Sequence, residues 1–219
     1  MLVRELQALL GQIYALDIDA DVVDYIVTDQ GYLRQFIGDD ADSTEETLLI
    51  VEDEDVLNLA LYIDKALLDG LTEADPCSGL YRHNLDDFCK VLEGISHFVY
   101  VAWNAARDKQ ITRLELEMQA EIDKYISSRL LLESQWGDRL GLLNALFEDV
   151  KYAEHLKPDT LARYRHANDT ASRYCHNLEQ RFPSAASGGL SISMLDELRA
   201  FYRMPQPEKI SHIHAAQFA

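Results

Sequence analysis

The sequence predicts a mainly α fold: a multi-helix bundle around a central antiparallel helical hairpin over residues 85–133, with one small β-hairpin in the N-terminal third. Three observations carry that expectation. Apolar residues recur at helical spacing through most of the chain after Pro76. One stretch alone, TLLIVEDEDVLNLALYI from Thr47, changes to a period of two. And 47% hydrophobic with 26% charged residues is the composition of a globular chain that can fill a core. The 219 residues are read as a single domain with an acidic N-terminal lobe (1–75), a helical bundle (76–204) and a C-terminal tail (205–219).

The elements follow in order. Leu6, Leu9, Leu10 and Ile13 set the apolar face of a first helix, and shorter helices follow around Asp21–Val27 and Gln30–Ile37. DDADSTEE, from Asp39, is a polar loop. In the β segment Leu57, Leu59, Leu61 and Ile63 alternate with Val56, Asn58, Ala60 and Tyr62, and Glu52-Asp53-Glu54-Asp55 forms a turn without glycine. One hairpin is marginal by itself, so helices must cover it. A short helix near Lys65–Leu71 and a loop at Asp75-Pro76 lead to the long helices. Asn84 is expected to cap a helix running to about Arg107. Thr112-Arg113-Leu114-Glu115 is a capping-box pattern for a second helix to about Glu133. The short link Asp108–Ile111 makes the two antiparallel neighbours. After Gly137 and Gly141 a helix over Leu142–His155 is expected, then one from Asp159 to near Pro183. On the latter Leu161, Tyr164, Asn168, Ala171, Cys175, Leu178 and Phe182 keep heptad-like spacing, which places Asn168 on the buried seam as a register-setting residue. PSAASGG, from Pro183, is a linker before a helix over Ser191–Tyr202, and Pro205 and Pro207 open the tail EKISHIHAAQFA.

The net charge of −18 is unevenly spread. Up to Asp75 there are 19 acidic residues against Arg4, Arg34 and Lys65. Such a field repels phosphate backbones and argues against nucleic-acid binding. It suits a basic protein partner or self-association, or serves as a solvated surface. No run approaches a membrane span, and Glu5 and Gln7 interrupt what would be the apolar core of a signal peptide. Cys77, Cys89 and Cys175 are widely spaced and form no CxxC, which fits a reducing, cytoplasmic location.

Motifs are mostly absent. There is no dinucleotide fingerprint, P-loop, GxSxG or HExxH, and no recognised motif requires a cofactor. Asp17-Ile18-Asp19-Ala20-Asp21 imitates a calcium loop but has Val22 at the glycine position and Thr28 at the bidentate glutamate position. His212-Ile213-His214 offers two metal-ligand types, but a near-terminal histidine pair is more often a solvated tail.

One polar cluster stands out. On a helical wheel Phe88, Val91, Leu92, Ile95, Phe98, Val99 and Ala102 share a face, with Lys90, Glu93, His97, Tyr100 and Asn104 opposite. From Gly94 through Ala106 no residue carries a formal charge when His97 is neutral, so the helix should be covered on both sides, with Gly94 and Ser96 admitting a close neighbour. On the next helix Glu117 and Glu121 lie one turn apart, a repulsion that Lys124 or Arg113 would relieve. Hairpin geometry sets His97 level with residues 121–125. Candidate catalytic residues are therefore His97 and Glu93, and candidate metal ligands are Glu93, His97, Glu117 and Glu121. The pattern departs from the Glu-x-x-His pairs of di-iron bundles, because Glu93 and His97 are four apart and no second pair exists. A histidine hydrogen-bonded to a carboxylate to position two helices explains the same residues without chemistry.

Two functions compete. One is a non-enzymatic binding or regulatory protein with an acidic interaction surface. The other is a helical-bundle enzyme using the Glu/His cluster, with or without a metal. A mimic of nucleic-acid charge is a third, less favoured because the acidic residues show no regular spacing.

Overall fold

Nine α-helices and one three-stranded sheet make up the described part of the chain, in a computed structural model that describes residues 1–53, 56–135, 141–152, 156–183 and 189–215. Glu54 and Asp55 of the hairpin turn, Gly137, the expected helix end at His155, residues 184–188 of the linker and residues 216–219 lie outside the described residues. The mainly α class with a small β element is as the sequence predicts. Contacts group the chain into two compact units, Met1–Gly11 with Leu16–Lys109, and Gln12–Ala15 with Gln110–Ala219. Both long helices of the expected central hairpin are present, one in each unit.

In the first unit, helix α1 (Leu2–Tyr14, its last turn belonging to the second unit) buries Val3, Leu6 and Leu10. Asp21 accepts a hydrogen bond from Val23 N at 3.0 Å and starts a single 3-10 turn, Val22–Tyr25. The chain then enters strand β1 (Ile26–Val27) instead of continuing the helix expected to Val27. Valine and isoleucine favour extended backbone when a strand is at hand to pair with. Asp29 caps α2 (Gln30–Ile37) through Gly31 N at 2.8 Å, and Asp64 caps α3 (Lys65–Glu73) through Ala66 N at 2.7 Å.

The alternating segment forms β2 (Glu46–Asp53) and β3 (Val56–Ile63), antiparallel in one unbroken register from Glu46↔Ile63 to Asp53↔Val56. β1 pairs in parallel with the other edge of β3, giving the order β1-β3-β2. Helix α4 (Leu85–Ala105) lies on one face of this sheet. A Cβ at Gly94 would stand 2.8 Å from Glu46 Oε2 and 2.9 Å from Leu61 Cδ1, so glycine is what lets the helix approach. The close neighbour foreseen at Gly94 is thus a pair of sheet side chains. On the opposite face, Tyr62 packs with Leu33 and Ala41, and Leu49 and Ile37 pack beside them. Because successive strand residues point to opposite sides, Leu61 meets α4 while Tyr62 meets α2. Asn84 precedes α4 without capping it. Its side chain accepts from Tyr81 N (2.7 Å) and donates to Ala74 O (3.0 Å) and Gly79 O (2.9 Å), pinning the preceding loop.

In the second unit, Thr112 Oγ1 accepts from Glu115 N at 3.1 Å and opens α5 (Arg113–Gln135), as the capping pattern predicts. Helix α6 (Leu142–Phe147) ends well before His155. Glu148 and Asp149 follow it, and acidic groups oppose the negative end of a helix dipole. Helix α7 (Pro158–Arg181) begins on Pro158, and Ala171, Cys175 and Leu178 are fully buried on its seam. Asn168 is buried on that seam as expected, and its Nδ2 donates to Phe147 O at 3.0 Å. Ser191 caps α8 (Ile192–Arg203) through Met194 N at 3.2 Å. The segment read as a tail carries a helix, α9 (Gln206–Ala215), which buries Lys209 and Ile213. Pro207 sits in its first turn, where the missing N–H costs nothing, so this proline starts a helix instead of preventing one.

Candidate functional site

Helix α4 is buried on both sides from Val91 to Asn104, with Glu93 and Ala102 half-buried. The wheel's opposite face is included: His97, Tyr100 and Asn104 are buried, and Asn104 Nδ2 donates to Tyr100 O at 2.8 Å. Glu93 and His97 thus stand one turn apart on a covered helix of the first unit. Glu117 and Glu121 stand one turn apart on α5 of the second. Their mutual repulsion is answered from two directions. Lys124 Nζ lies 2.7 Å from Glu121 Oε1, as the sequence suggested. Arg163 of α7, which the sequence did not suggest, places Nε 3.6 Å from Glu117 Oε1.

The second unit also contains a buried polar network that sequence reasoning missed. Lys209 is 0% exposed. Its Nζ donates to Gln119 Oε1 at 2.9 Å and lies 3.9 Å from Glu115 Oε1. Gln119 Nε2 in turn donates to Asp123 Oδ1 at 2.8 Å, and Tyr14 Oη donates to the same carboxylate oxygen at 2.5 Å. Burial first, then the Asp123 carboxylate, pushes the Tyr14 phenol well above its usual range. Donors and acceptors are matched within the network, which ties α9 and the end of α1 to α5. The signal was present: Glu115, Gln119 and Asp123 form a polar stripe at i, i+4 spacing on α5. What hid it was reading Lys209 as tail.

Two further polar clusters lie in the second unit, one buried and one partly exposed. Buried Arg129 reaches Glu133 (3.0 Å), Glu179 (3.4 Å) and Phe182 O (2.5 Å), and Tyr125 Oη donates to Glu179. Glu197 accepts from Arg181 (2.9 Å) and sits 2.6 Å from His212 Nε2. Burial alone would raise the Glu197 carboxyl, but hydrogen bonds and charge from Arg181 and His212 hold it below the ordinary range. His212, read as solvated tail, is therefore engaged, while His214 is exposed.

The acidic surface belongs to the first unit, with 23 acidic against 7 basic residues, a net of −16; the second has 15 against 13, a net of −2. Among the described residues Arg4 is held by Asp21, Arg34 by Asp42, Lys65 by Asp69, and Lys90 by Glu45 and Asp86. A cavity of about 550 Å³ opens in this unit between α1, the 3-10 turn, β1 and α3. Val3, Val23, Ile26 and Leu71 give it apolar walls, and Glu5, Asp69 and Asp75 line it as well. Beside it, burial and then the Asp75 and Glu5 carboxylates push the Cys77 thiol up to about 11. That thiol is protonated at neutral pH and is a poor nucleophile. The distal half of the β-hairpin is exposed from Ile50 to Asp53.

No protein-family model, curated protein or solved structure matches this chain.

Proposed function

We propose that the protein is a cytosolic binding or regulatory protein without catalytic activity, whose acidic first unit docks a basic protein partner. The observation that carries this reading is the charge division: −16 on one unit, against −2 on the other. A field of that size steers a basic partner in and discriminates against acidic ones. Cys77, Cys89 and Cys175 are all thiols, in keeping with a reducing compartment. Among the described residues no helix is long and apolar enough to cross a membrane.

The test reverses exposed acidic residues within 39–55 and titrates binding of polylysine against salt. Binding should weaken steeply with salt and fall at least about tenfold in the reversed protein. Equal binding by both proteins at every salt concentration would end this reading. The rival, an enzyme using Glu93, His97, Glu117 and Glu121, is separated by elemental analysis of untagged protein purified without chelator. Near-stoichiometric iron, manganese or zinc that disappears in Glu93→Ala would replace the binding reading with a metal-dependent one.

A further inference from the structure

Strand β2 is the end strand of its sheet: the order β1-β3-β2 leaves its outer side without a strand among the described residues. Alternate backbone N–H and C=O groups of such a strand point away from the sheet and can pair with another chain. Proteins guard such edges with lysine, proline, a bulge or a cover. Glu46–Asp53 contains no lysine or proline, and its pairing with β3 runs through eight consecutive pairs without a bulge. Nor is the distal half covered. Ile50 is 42% and Val51 45% exposed, and Glu52 and Asp53 are exposed beside them.

The guard that does exist is charge, and it is selective. Glu45 and Glu46 stand before the apolar middle of the strand, Glu52 and Asp53 after it. If a second copy paired antiparallel about Leu49, Glu52 would face Glu46 and Asp53 would face Glu45. Like charges directly opposite are destabilising, so the edge disfavours its own copy in this register. The same charges attract a strand that carries basic residues opposite 52–53 and apolar ones opposite 50–51.

We propose that the outer edge of β2 is a strand-addition site for an extended segment of a basic protein partner, which docks antiparallel with basic residues preceding apolar ones. The proposal rests on the acidic-surface reading and names where on that surface the partner sits. Main-chain hydrogen bonds to β2 supply the affinity, contacts with Ile50 and Val51 fix the register, and Glu52 and Asp53 select the charge.

The probe is a synthetic peptide of two lysines followed by alternating valine and threonine, compared with polylysine and with two N-methylated forms of itself. In each form the backbone amides of one parity are methylated, so one form must lose the bonds that face β2 while keeping every charge. The parent peptide should bind at least about tenfold more tightly than that form and shift the amide NMR signals of residues 48–53. Equal binding by the parent and both methylated forms, or shifts confined to other residues, overturns strand addition. If polylysine still binds in that case, the acidic-surface reading survives. If neither the peptide nor polylysine binds, both readings fall.

Discussion

The two units use charge in opposite ways. Among the described residues, every formally charged side chain in the buried class lies in the second unit: Glu115, Asp123, Arg129 and Lys209. That unit is nearly neutral overall, and its charges are spent on positioning helices. Among the described residues, the polar side chains in the buried class of the first unit are Asn84, Ser96, His97 and Asn104, and the same unit carries the −16 excess. A charge that is buried and paired specifies one packing and is costly to disturb. A charge left in water costs folding little and remains available to a partner.

Removing a cation from the second unit should therefore have the largest effect. Lys209→Ala leaves Glu115 and Gln119 buried without it, and should lower stability by about 3–5 kcal/mol in denaturant unfolding. A loss below about 1 kcal/mol would mean that this network does not act as the unit's packing constraint.

In the first unit the sensitive point is packing. Gly94→Ala forces a Cβ against Glu46 and Leu61, and should destabilise by about 1–3 kcal/mol. The flexible end of Glu46 can turn away but the buried Leu61 cannot, so Leu61→Val in the same chain should recover part of the loss. No recovery in that double variant would place the strain elsewhere.

Acid offers a gentler comparison. Glu197 is held below its ordinary value of 4.5, so the folded state binds its proton less readily than the unfolded chain does. Its contribution is present above that value and is lost as pH falls toward the lower folded one. Glu197→Gln should flatten the fall of the unfolding midpoint between about pH 5 and pH 3. An unchanged slope would remove the Arg181–Glu197–His212 cluster from the acid sensitivity.

The smallest expected effect sharpens the contrast most. Reversing exposed Glu52 and Asp53 to lysine should change stability by no more than about 0.5 kcal/mol, while polylysine binding falls. A large stability change would show that the hairpin tip supports the fold and that the two units do not differ in this way.

Much of this was written in short windows of sequence. Alternation from Val56 to Ile63 specifies the hairpin because a period of two puts every second side chain on one face. The helical wheel of α4 and the absence of charge after Glu93 foretold a helix covered on both sides. Thr112 foretold the start of α5, and the heptad spacing of α7 foretold that Asn168 lies on its buried seam. These features depend on residues within a few turns of one another, where backbone geometry alone decides who shares a face.

Tertiary structure decided the rest. The two-residue strand β1 exists because β3 offers it an edge, and Ile26–Val27 alone is too short to announce itself. Lys209 finds Gln119 across 90 residues, Arg163 finds Glu117 from another helix, and Arg203 donates to Tyr14 O across 189. A buried charge needs a partner, and burial tells the reader that one must exist. Which residue supplies it depends on how distant helices pack, and no periodicity in the sequence carries that information.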